Sequence, residues 1–302
     1  MAPIHLGTSD VKINYGVKTA APTSPSPTEG SEYWHKTENK KYVYNGTGWA
    51  TFDVTEPWNA SNTATHWWTQ AGLTGNDGWT AEKGSQNLTR YEEDELVYTA
   101  TDSDFNNKKS ISGGISGATD ACLGTSQALS NGSMWNARNE AFSALIVCKK
   151  TNNNHSFGKG DALFTHMDSW ATSGNHWSFE PGGDHIWHQG GELWEDNNIG
   201  NVPGGVPCTG IYFIKMDSSG NGGAYWFNDG ATSWTTLGTA SGWPSNGPGS
   251  NSCVGLSFFG IGAYSNHSFR GKIADIAYWK GTSLGDTERD RYKDWANGEY
   301  GL

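Results

Sequence analysis

The sequence predicts a mostly β protein. It reads as an antiparallel two-sheet jelly-roll sandwich, preceded by a small β-hairpin module and ending in a short C-terminal helix. Two observations carry that reading. Short aromatic or aliphatic runs recur along most of the 302 residues, separated by Gly, Asn, Asp and Ser, which is how strands joined by tight turns read. Helical periodicity of useful length is missing until the last twenty residues. The composition, with 41 Gly and 16 Trp, agrees with strands packed by large rings.

Composition also excludes several classes. Lys plus Arg is 20 against 31 for Asp plus Glu, a formal charge of −11, which argues against a nucleic-acid partner. Aromatic residues at 13% argue against disorder. No run approaches the roughly 20 apolar residues of a membrane-spanning helix, and the opening MAPIHLGTSD has neither the basic start nor the apolar stretch of a secretory signal. Cys122, Cys148, Cys208 and Cys253 are widely spaced, without a CxxC pair. They read as buried thiols, with two disulfides in any of three connectivities as the alternative.

The elements follow in order. Residues 1–20 alternate in character (Ile4, Leu6, Val11, Ile13, Tyr15), giving extended segments too short to bury a core alone. They are expected to anchor the chain to another protein. Residues 21–30 carry Pro22, Pro25 and Pro27 and read as an extended linker. Residues 31–55 form the hairpin module: Tyr42-Val43-Tyr44, a turn at Asn45-Gly46, and a return from Trp49 to Phe52, with Tyr33-Trp34 as an earlier strand. From residue 60 to 302 the sandwich follows, with strands expected at 95–100, 141–149, 162–166, 177–180, 185–188, 210–216, 223–228, 254–261 and 271–280. A cap at 283–286 and Tyr292, Trp295 and Ala296 at helical spacing predict the final helix of about three turns.

Two resemblances add to this. The pattern Pro-x-x-Gly-x-x-Tyr-Trp-x-x-Thr-x-Asn-x-x-Tyr-Val-Tyr-x-Gly-x-x-Trp over 27–49 resembles a small β-module of bacteriophage virion proteins. The runs Ala141 to Val147, Gly210 to Gly230 and Phe269 to Trp279, with Leu284-Gly285-Asp286 and the ending Tyr300-Gly301-Leu302, resemble laminin G-like and concanavalin A-like lectin/glucanase domains over roughly 85–302. Residue 229 departs from that pattern, an Asp standing between Asn228 and Gly230. Together they imply a virion surface protein, a tail fibre or capsid decoration, that meets other virion proteins through its N-terminal segment. They also imply adhesion to host or environmental glycans and a trimer as one arrangement. Its location would be the virion surface, without membrane insertion.

Site by site, no enzyme signature emerges. A retaining glycosidase needs two carboxylates about 5 Å apart. Glu92-Glu93-Asp94-Glu95 and Glu192-Leu193-Trp194-Glu195-Asp196 both lack the third carboxylate of the strand motif. The alternative, a depolymerase, would need Glu180 to converge with Glu192 or Asp184. His155, His166, His176, His185 and His188 cluster in sequence, but strict alternation would set His185 and His188 on opposite faces, so no metal site is expected. Calcium is the one cofactor the second resemblance allows, at Asp102-Ser103-Asp104 or at 217–221, where a plain hairpin turn is the better reading. The aromatics point to carbohydrate. Trp170, Trp177, His185, Trp187 and Trp194 offer rings to stack on sugars and a side chain to bond their hydroxyls.

Overall fold

Alternating aromatics build the first sheet. The computed structural model describes residues 13–28, 31–35, 40–44, 47–52, 57–58, 62–91, 96–113, 122–126, 140–151, 163–167, 176–180, 185–189, 202, 205–240, 255–259 and 269–302. The chain divides into two units, Met1–Pro57 with Asp294–Gly301, and Trp58–Lys293 with Leu302. The first holds a four-stranded sheet of β1 (Asn14–Lys18), β2 (Glu32–His35), β3 (Lys40–Tyr44) and β4 (Trp49–Phe52), paired in that order. Tyr33, 3% exposed, is its centre. It stacks on Tyr42 at 5.1 Å and meets the Trp49 ring edge-on at 4.8 Å.

Within the span expected as anchor and spacer, residues 14–18 form a strand of this sheet. β1 pairs in parallel with β2, Asn14 opposite Glu32 and Lys18 opposite His35. The Tyr15 ring packs against Trp49 at 5.7 Å, and its hydroxyl donates to the Pro25 carbonyl. The Trp49 indole N–H donates to the Pro22 carbonyl at 3.3 Å. The proline-rich stretch is therefore a strap held by two aromatic donors. Ile13 closes the same corner, its amide donating to Ser31 Oγ at 3.2 Å. Ile4, Leu6 and Val11 lie outside the described residues.

The second unit is a two-sheet antiparallel sandwich. One sheet has seven strands in the order β14 (His185–Gln189), β13 (His176–Glu180), β12 (Phe164–Met167), β18 (Gly255–Phe258), β10 (Cys122–Gly124), β7 (Leu88–Tyr91) and β6 (Gly78–Trp79). The other runs β17 (Thr235–Ala240), β16 (Gly222–Asn228), β15 (Cys208–Met216), β11 (Phe142–Lys150), β19 (Gly271–Lys280), β9 (Lys108–Gly113) and β8 (Val97–Asp102), with β5 (His66–Trp68) on β19. Inward residues of both sheets fill the space between. Phe142, Ala144, Ile146, Tyr212, Ile214 and Trp226 come from one, Leu88, Leu123, Phe164, Phe179, Leu256 and Phe258 from the other.

β11 and β19 read as continuous apolar runs because both of their faces are covered. Leu145, Val147, Phe213 and Ala277 point away from the core yet are fully buried. The helix α1 (Asp286–Tyr300) supplies part of that cover. Its Tyr292 is fully buried. The Tyr292 hydroxyl donates to the buried Asp275 carboxylate on β19, which also takes the Trp67 indole N–H at 3.0 Å. Arg289 lies 4.9 Å over the Trp234 ring, whose N–H donates to Asp290 at 2.8 Å. The helix runs past Gly298, where the sequence pattern ends it, so it is longer than expected. No helix among the described residues is long and apolar enough to cross a membrane.

Candidate ligand-binding face

The two sheets present different outer faces. That of the eight-stranded sheet is covered at its centre, where Leu145, Val147, Phe213 and Ala277 are fully buried. On the seven-stranded sheet, register lines up one row of small polar residues. Gly78 pairs with Thr89, Thr89 with Gly124, Gly124 with Ser257, Ser257 with Thr165, Thr165 with Ser178 and Ser178 with His188. Gly78, Thr89, Gly124 and Thr165 each neighbour a core residue along the strand, Trp79, Leu88, Leu123 and Phe164. Alternation therefore assigns these four to the face away from the core. With strands about 4.8 Å apart the row spans roughly 29 Å. Thr89 is exposed at one end and Thr165 is fully buried near the middle, so the row opens to solvent at β7 and is closed over at β12. Such a floor has little bulk and many hydroxyl positions.

The predicted sugar-contacting residues fall partly on this sheet. Trp177 lies on β13, and His185 and Trp187 on the edge strand β14. Trp177 sits in register opposite the buried His166, and His185 opposite Glu180. Trp170 and Trp194 lie outside the described residues, as do Asp184, Glu192 and the run 92–95. Strict alternation does not hold along β14. Its register slips between the pairs Ser178–His188 and Glu180–His185.

The two acidic loops weighed for calcium are used internally. Asp102 caps a 3-10 turn by accepting the Asp104 amide at 3.0 Å, and also takes the Ser110 hydroxyl. The Lys272 ammonium reaches Asp102 at 2.9 Å and Asp104 at 2.7 Å, and Lys149 reaches Asp104 at 2.6 Å. The Lys272 ammonium thus bridges the two carboxylates, and Lys149 adds a second cation at Asp104. Burial favours neutral Asp104, but its bonds to Lys149 and Lys272 outweigh that and hold it below the ordinary range. Asp217 accepts the amides of Asn221 and Ser219, both at 2.8 Å, and the Asn221 side chain at 3.1 Å. Those bonds, the Asn221 amide first, hold its carboxyl low and close the hairpin with Gly220 at φ 78°. Among the described residues, no three His, Cys, Asp or Glu side chains gather as metal ligands would.

Two histidines are structural. His166 Nε2 lies 3.0 Å from the Tyr278 hydroxyl, between Phe142 and Phe164, and burial pushes its pKa well down. His66 stacks on Trp68 at 5.5 Å. Burial first, and Lys280 second, lower it to about 4.

No family model and no curated protein matches the chain. Solved structures of the same fold do. Domain 4 of AbnA, a GH43 extracellular arabinanase from Geobacillus stearothermophilus, in complex with arabinotriose, has a TM-score of 0.51 at 13% identity, covering 78% of this chain and 98% of that one. An arabinofuranosidase complexed with arabinofuranosyl-alpha-1,2-xylobiose also scores 0.51 at 10% identity, over 79% of this chain and 60% of that one. The botulinum neurotoxin serotype G binding domain scores 0.46 at 15% identity, over 78% and 50%. The likeness is one of fold: an antiparallel β-sandwich, a class that includes carbohydrate-binding and glycosidase-like domains.

Proposed function

We propose that this chain binds glycans on the outer face of the seven-stranded sheet and does not cleave them. The carrying observation is the open end of the row, Gly78 and Thr89 on the paired strands β6 and β7, on the sheet whose strands β13 and β14 carry Trp177, His185 and Trp187. Small residues there leave room for a sugar, and the Thr89 hydroxyl suits its hydroxyls. The complex of AbnA domain 4 with arabinotriose supports arabino-oligosaccharides as first probes. The pattern over 27–49 supports a finer reading, that the domain is displayed on a bacteriophage particle and anchored through its N-terminal residues. Multivalent display there would turn weak single sites into useful avidity.

A glycan array carrying arabino- and xylo-oligosaccharides tests the binding. The wild type should give signals that fall at least tenfold in Thr89→Trp, which fills the exposed end of the row, with no reducing ends released from any bound glycan. Steady release of reducing ends would replace this reading with a depolymerase. Silence of the wild type on every glycan would remove it. Recovery of the chain in purified phage particles tests the finer reading separately.

A further inference from the structure

Two thiols and two polar side chains gather on the core-facing side of the eight-stranded sheet, apart from the ligand face. β11 and β15 pair with Cys148 opposite Gly210 and Lys150 opposite Cys208. Cys148, Lys150, Cys208 and Gly210 therefore share one face, the two cysteines set diagonally, two positions apart. Tyr212 follows on that face. It is fully buried, and its hydroxyl meets no hydrogen-bond partner among the described residues. The Trp226 ring lies over Gly210, where an added Cβ would come within 2.6 Å of it. Cys148 is buried and Cys208 is partly exposed, which gives the group a route to solvent. Lys150 is a wholly buried cation.

We infer that Cys148 and Cys208 form a two-coordinate site for a soft monovalent cation of the Cu(I) class. Geometry favours this over a disulfide. Diagonal neighbours have Cα atoms about 7–8 Å apart, beyond the roughly 4.4–6.8 Å of a disulfide, and the strands that carry them are central. Two thiolate–metal bonds of about 2.3 Å hold sulfurs roughly 4.6 Å apart, within reach of the diagonal side chains. Thiolates select soft ions, whereas zinc wants four ligands, and no such group gathers here among the described residues. Charge also fits. Binding releases two protons, and one cation with two thiolates carries a net charge of −1, which the Lys150 ammonium on the same face offsets. The Tyr212 hydroxyl becomes a donor to a thiolate sulfur.

Anaerobic titration of the reduced protein with Ag(I), followed by dialysis against excess glutathione and native mass spectrometry, tests the site. The wild type, Cys122→Ser and Cys253→Ser should each retain one silver ion. Cys148→Ser and Cys208→Ser should retain none, and Tyr212→Phe should bind it several-fold more weakly. Cys208→Ser changes a partly exposed side chain, so a folded variant is available whatever Cys148→Ser does. No retained silver in the wild type, or retention unchanged in Cys208→Ser, would overturn the assignment.

Discussion

His66 and His166 are held uncharged inside the sandwich, and that links stability to pH. The His66 pKa falls from 6.5 to about 4 on folding. Between those values the unfolded chain binds a proton that the folded chain refuses, so stability decreases as pH falls from about 6.5 towards 4 and then levels off for this residue. His66 alone accounts for a loss on the order of 3 kcal/mol. Denaturant melts of wild type and His66→Phe at pH 7 and pH 5 should show a smaller acid loss in the variant; equal losses would refute the link. The buried Asp275 carboxylate accepts from Trp67 and Tyr292. Asp275→Ala removes that shared acceptor, and we expect a destabilisation of about 2–4 kcal/mol in the same melts.

At the scale of the element, β19 ties the sandwich together. It pairs with β11, β9 and β5 and presents Lys272 to the carboxylates of Asp102 and Asp104. Burial opposes that charge, yet the bonds to Asp104 and Asp102 outweigh it and raise the Lys272 pKa. Lys272→Met would strand the nearly buried Asp102, and thermal melts should report a loss of about 1–3 kcal/mol. Strands such as β11, β15 and β19 were legible in the sequence because long apolar runs mark central strands. β9 (KKSISG), β17 (TTLGTA) and the short β5, β6 and β10 were not. Their residues carry little apolar signal, and their place comes from pairing with distant segments. The same limit hid the polar row. Thr89, Gly124, Thr165, Ser178 and Ser257 are unremarkable singly, and only long-range register lines them up. Local composition likewise does not reveal that Tyr15 and Trp49 bond to the carbonyls of Pro25 and Pro22.

Across the whole molecule, the sandwich commits its two outer faces differently. One lies under α1 and is tied down by Tyr292, Arg289 and Trp234. The other carries hydroxyl and glycine positions from β6 to β14. The claim that matters is that sugars bind along this second face. Amide hydrogen exchange in saturating arabinotriose, or in whichever oligosaccharide the array selects, tests it most directly. The account predicts added protection in β6 and β7, around Gly78 and Thr89, with β1–β4 unchanged. Protection confined to the aromatic sheet of Tyr33, Tyr42 and Trp49, leaving β6 and β7 untouched, would contradict it.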